Sequence, residues 1–223
     1  MTHSLHRRSA ATEVADFVVV VMAAKGLNDQ GAAAKLRTVL DLAAGHGAVN
    51  IGDMKNGSVA ALTPGELAAR LHDHSILDVV FAESSRLASF LAELRRAELG
   101  LSVVVSGPLA EVLALCRERP ECGVPHTVSL SLGVWGRTDL LPPRCDLDVT
   151  TLCGHALVAP AAVAGARDAI ACGSMTAEQA AAQLARPCVC GAFNPCRAAA
   201  LLRAEEAARR PVRAWADAIA GEL

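Results

Sequence analysis

The first half of the chain switches repeatedly between short, nearly continuous apolar runs and longer stretches in which apolar residues return every three or four positions. The runs DFVVVVM (16–22), AVNIGDM (48–54), ILDVVFA (76–82) and LSVVVSG (101–107) are rich in β-branched residues and bounded by turn formers. That pattern predicts four strands. The run of consecutive apolar positions at 17–22 predicts a strand buried on both faces. HTVSLSLGV (126–134) reads as a fifth strand.

Helical patterns separate these runs. QGAAAKLRTVLDLAAGHG stops at glycines, and SSRLASFLAELRRAELG is amphipathic and closes at Gly100. In LTPGELAARLHD, Thr63 stands as N-cap, Pro64 opens the first turn and Glu66 completes a capping box. PLAEVLALCRERP follows the fourth strand. Strands alternating with helices of this length predict βαβ units, and hence an α/β protein with a parallel, Rossmann-like sheet flanked by helices.

The rhythm changes after Trp135. WGRTDLLPPRCD reads as a loop, LDVTTL (147–152) as one more short strand, and the remainder as helices around cysteine-bearing loops. PAAVAGARDAIACG starts at Pro160 and ends before Gly173; MTAEQAAAQLAR opens with Thr176 and Gln179 as a capping box. The last helix has Asn194 as N-cap and Pro195 in its first turn. The expected organisation is a flexible tail over 1–14, an α/β domain over 15–140, and a helical, cysteine-rich, metal-binding part over 141–223 packed on it.

Composition narrows the partners. The 223 residues are 52% apolar and 20% charged, with a formal net charge of -2, which predicts a folded globular chain. The basic residues form no block and aromatics are scarce, so nucleic acid is not an expected partner. FVVVVMAA is far too short to span a membrane, and the start carries no convincing cleavage site, so the chain reads as cytoplasmic. Alanine-rich helices leave a homo-oligomer open.

Eight cysteines then stand out, because a reducing compartment disfavours structural disulfides. Six of them lie between 145 and 196. TTLCGHAL carries Cys153 and His155; RPCVCGAFNPC carries Cys188, Cys190 and, in a helical first turn, Cys196. Glycine directly after a cysteine allows close backbone approach to an inorganic centre, and the helix start at Asn194 favours thiolate. There is no C-x-x-C knuckle of the usual zinc kind. The irregular spacing points instead to a 4Fe-4S cluster on Cys153, Cys188, Cys190 and Cys196, with zinc as the alternative. Cys145 is a reserve ligand, whereas Cys116, Cys122 and Cys172 read as core.

With three cysteine ligands the fourth iron would be open to substrate; with four the site would be closed, as a structural zinc or an electron-transfer cluster. The expected function is therefore a non-redox iron-sulfur enzyme, a lyase, hydrolase or desulfurase, acting on a small polar and possibly anionic molecule. His155 would move protons, Arg137 would assist catalysis, and Lys25, Arg137 and Thr138 would bind the substrate at strand ends. His155 also reads as a ligand. Two alternatives stand beside this: a non-enzymatic protein with a closed four-cysteine site, and a metal-free thiol enzyme with a Cys/His dyad. Neither a Walker A loop nor G-x-G-x-x-G occurs.

Overall fold

The computed structural model describes residues 14–130 and 135–220, with side chains as far as 209. Five strands form one sheet: β1 (Phe17–Met22), β2 (Asn50–Asp53), β3 (Gly57–Ser58), β4 (Ile76–Phe81) and β5 (Ser102–Ser106), in the order β3-β2-β4-β1-β5. Every neighbouring pair is antiparallel. This overturns the expected parallel, Rossmann-like sheet, while the broader α/β character holds.

The reason lies in how the connections interleave. β1 and β2, joined through α1 (Ala32–Gly45), do run parallel to each other, but β4 lies between them in the opposite sense. β4 and β5, joined through α3 (Ser84–Arg96), likewise straddle β1. Two βαβ units are thus threaded through one another, a split βαβ arrangement. An apolar run reports that both faces are covered, not which way the neighbouring strand runs.

The two faces of β1 have different covers. Phe17, Val19 and Val21 pack with Leu36 and Val39 of α1, Leu67 of α2 (Pro64–Arg70), Leu87 and Phe90 of α3, and Leu115 of α4 (Leu109–Glu118). Val18, Val20 and Val80 face the other way, into a second core built by the C-terminal half. That half comprises α5 (Arg144–Thr150), α6 (Pro160–Ala171), α7 (Ala177–Ala185) and α8 (Pro195–Ala220). Arg167 of α6, largely buried, pairs with Asp146 of α5 and Glu205 of α8 and so ties three of these helices together.

The predicted caps of α2 and α7 form: Thr63 with Glu66, and Thr176 with Gln179, each as a reciprocal capping box. α1 has no side-chain cap of its own at Gly31; the Asp73 carboxylate accepts from the N–H groups of Gly31 and Ala33 instead. Two predicted strands are corrected. LDVTTL falls largely in helix α5, where Val149 and Thr150 turn inward on the helical repeat. Of 126–134, residues 126–130 form no strand, and 131–134 lie outside the described residues. The predicted tail lies almost wholly outside them too.

Candidate functional site

Antiparallel strands send their ends alternately to opposite edges of the sheet, so the polar strand-end residues divide into two groups. Lys25 and Asn28 follow β1 at the edge where β2 ends and β5 begins; Asn28 donates there to the Gly100 carbonyl. Glu83, Ser84, Ser106 and Gly107 lie at the other edge, with Asp16. A single crevice gathering all the strand C-termini, as expected of a parallel sheet, is therefore not built. Arg137 and Thr138 are exposed, Thr138 opens a short 3-10 turn (Thr138–Leu140), and the Arg137 guanidinium is held by Asp139 at 2.6 Å.

The cysteine loops do come together. Cys153, Cys188 and Cys190 are 2%, 0% and 1% exposed, all within the core between the sheet and the C-terminal helices. Cys188 Sγ lies 3.8 Å from Cys190 Sγ, and Cys190 Sγ lies 3.5 Å from His155 Nδ1. Cys153 and Cys188 are hydrogen-bonded to each other. That bond, with the backbone N–H groups of Leu157 and His155, draws the Cys153 thiol down to about 6 against the opposing effect of burial. The Cys188 thiol is pushed the other way, raised by Cys153, by Cys190 and by burial. Among the described residues no group of three or more His, Cys, Asp or Glu side chains is arranged so as to hold a metal ion; the sulfurs are engaged with one another.

The loop that carries Cys188 and Cys190 is seated directly on strand β2. A Cβ added at Gly52 would fall 2.6 Å from the Cys190 carbonyl, and one at Gly191, whose φ is +78°, would fall 2.4 Å from the Gly52 nitrogen. Two glycines thus let two backbones touch. The glycine after Cys190 has a structural use that the sequence reading assigned to an inorganic centre. Asn50, two residues before Gly52 on the same face, donates to the Phe193 carbonyl at 2.9 Å.

Asn194 then closes the loop. Its Oδ1 accepts from the Arg197 N–H at 3.0 Å as N-cap of α8, while its Nδ2 donates to the Ala15 carbonyl and to Asp16 Oδ1, both at 3.1 Å. Arg197 adds a bond to the Val14 carbonyl at 2.7 Å. These contacts turn the first turn of α8 toward the edge that holds Asp16 and Glu83. Cys196 is exposed there, with its thiol raised by partial enclosure and then by the Glu83 carboxylate.

The remaining thiols lie elsewhere. Cys145 is exposed on α5. Cys172, expected in the core, is exposed at the end of α6 beside the Ser174 hydroxyl at 3.2 Å. Cys116 and Cys122 are half-buried against the helix-side core.

Three residues near the site escaped the sequence reading. Gly52 and Asn50 were visible only as parts of a strand, although a lone glycine inside a strand is itself a sign of close backbone approach. Asp78 of β4 stands opposite Gly52 in the register and is fully buried on the sheet face under the cysteine loop. Its signal was a carboxylate inside the apolar run ILDVVFA. Among the described residues no helix is long and apolar enough to cross a membrane. Comparison with protein families, with curated proteins and with solved structures gives no match for the chain.

Proposed function

We propose that this is a metal-binding protein in which Cys153, Cys188, Cys190 and His155 hold a single zinc ion, fastening the helical half to the sheet. The observation that carries the reading is a pair of distances. A tetrahedral zinc with Zn–S of about 2.3 Å sets two sulfurs about 3.8 Å apart, and with Zn–N of about 2.0–2.1 Å it sets sulfur and nitrogen about 3.5 Å apart. Cys188 to Cys190 is 3.8 Å and Cys190 to His155 is 3.5 Å. A 4Fe-4S cluster binds each thiolate to a different iron and spreads its sulfurs more widely. Cys196, which would close such a cluster with four cysteines, is exposed on the first turn of α8, whereas Cys153, Cys188 and Cys190 are buried.

The chemistry of the surroundings agrees. Zinc needs thiolates, and the Leu157 and His155 N–H groups aimed at Cys153 stabilise one before any metal arrives. Burial of three sulfurs with one histidine at the surface describes a site reached from one side only. On this reading the zinc replaces the thiol protons and crosslinks the loop after α5 to the loop before α8. Its work is structural, so it answers to the closed-site alternative and not to the open iron of an enzyme.

Metal analysis of the purified chain tests this. The expected result is near-stoichiometric zinc with neither iron nor sulfide. A cobalt-substituted protein should show the visible bands of a tetrahedral thiolate site, and these should weaken in His155→Ala and persist in Cys196→Ser. Near-stoichiometric iron with sulfide, or zinc that survives Cys153→Ser but not Cys196→Ser, would overturn the assignment.

A further inference from the structure

The sheet ends differently at its two edges. At one, β3 is only two residues long, Gly57–Ser58. At the other, β5 pairs with β1 in an unbroken register, from Ser102 with Met22 to Ser106 with Val18, and turns its second side outward. Among the described residues no hydrogen bond other than those to β1 reaches Ser102–Ser106. Proteins blunt such edges with short strands, charge, proline or bulges. β5 itself has none of these, and from Leu99 to Ala110 the chain is uncharged. We propose that this edge is a self-association surface: a second copy of the chain lays its own β5 against it, antiparallel, and joins the two five-stranded sheets into one.

The exposed side chains select a strand as the occupant. Val103 and Val105 share a face with their partners Val21 and Val19, and Val104 shares the opposite face with Val20. Val21 and Val20 are 0% and 3% exposed, yet Val103 and Val104 are each 38% exposed. Apolar surface is thus left on both faces of the sheet at one edge. A helix laid on either face covers one of these valines and leaves the other. A strand added in the plane of the sheet flanks both and takes up the outward backbone N–H and C=O groups. The sequence selects which strand, because Ser102-Val103-Val104-Val105-Ser106 reads the same in both directions. A two-fold axis at Val104 sets Val104 opposite its own copy, Val103 opposite Val105 and Ser102 opposite Ser106. Every cross-strand pair is then of like kind, and no like charges meet at the axis. The contact is small: two strands of five residues bury much less than the ~1,200 Å² of a standard interface, so the dimer is reversible and depends on concentration.

Sedimentation velocity of the full chain, from low micromolar to submillimolar concentration, tests this together with amide hydrogen exchange. The expected result is a monomer that passes to a dimer, with exchange at Ser102–Ser106 slowing as the dimer fills. Val104→Lys and Val104→Glu each bring like charges together at the axis and should each weaken association by about tenfold or more. An equimolar mixture of the two variants should restore the dimer, because opposite charges then meet. A chain that stays monomeric throughout, a dimer that both substitutions leave intact, or a mixture that stays monomeric refutes the pairing. Slow exchange at Ser102–Ser106 at every concentration, relieved by deleting 126–134, puts that segment of the same chain on the edge and refutes it too. The concentration dependence of exchange is read on the unsubstituted chain, so it decides the matter if the Val104 variants do not fold.

Discussion

At the scale of single residues, Gly52 and Gly191 matter as much as the thiols they position. Each faces the other's backbone at a distance no Cβ tolerates, so Gly52→Ala should cost about 3 kcal/mol in denaturant unfolding. Gly191→Ala should cost more, because its left-handed backbone adds strain to the clash. On the proposed zinc reading both should also weaken zinc binding, although neither donates a ligand. The titration of Cys153 makes a second prediction, for the metal-free protein. Its thiol is at about 6 when folded and about 9 as a free thiol, so between those values the unfolded chain binds more protons and stability rises with pH. That contribution is lost as pH falls through about 6. Cys188 acts in reverse, since its raised thiol keeps a proton that the unfolded chain releases above about 9, and stability should fall there. Urea midpoints measured across this range should therefore pass through a maximum, and Cys153→Ala should abolish the rising limb.

At the scale of elements, the caps read from sequence are the caps that form, because a capping box depends only on residues within one turn. Thr63→Ala and Thr176→Ala should each cost about 1 kcal/mol. Asn194→Ala should cost about 2–3 kcal/mol, since the same side chain caps α8 and bonds to Ala15 and Asp16 at the start of β1. Thermal melts of the three variants check this ordering. The elements that misled the reading were those whose local pattern is ambiguous. LDVTTL has the β-branched content of a strand, yet Arg144–Thr150 becomes a helix because one helical face, with Val149 and Thr150, meets the core. The weak, two-residue β3 left no periodic signal at all.

At the scale of the whole molecule, the sheet is a partition between two cores, and the cysteine-rich half is the cover of one of them. On the proposed zinc reading, removing the metal with a chelator should therefore lower the melting temperature of the whole chain, and hydrogen exchange should rise first in Asn50–Asp53, the strand on which the Cys190 loop rests. The sequence by itself determined where the central strands and most helices lie, which helices are capped, that β1 is covered on both sides, and that Cys153, Cys188 and Cys190 deserve to be considered together. Those properties are written in residues close along the chain, or in the apolar content of a single segment. Only the tertiary structure decided that the sheet is antiparallel, that the strand-end residues part to opposite edges, and that Cys196 is exposed while His155 joins the buried thiols at Cys190. These depend on which strand settles between β1 and β2, and on where Asn194 is anchored at the start of β1; both are contacts between residues far apart in sequence, where no local period carries the information.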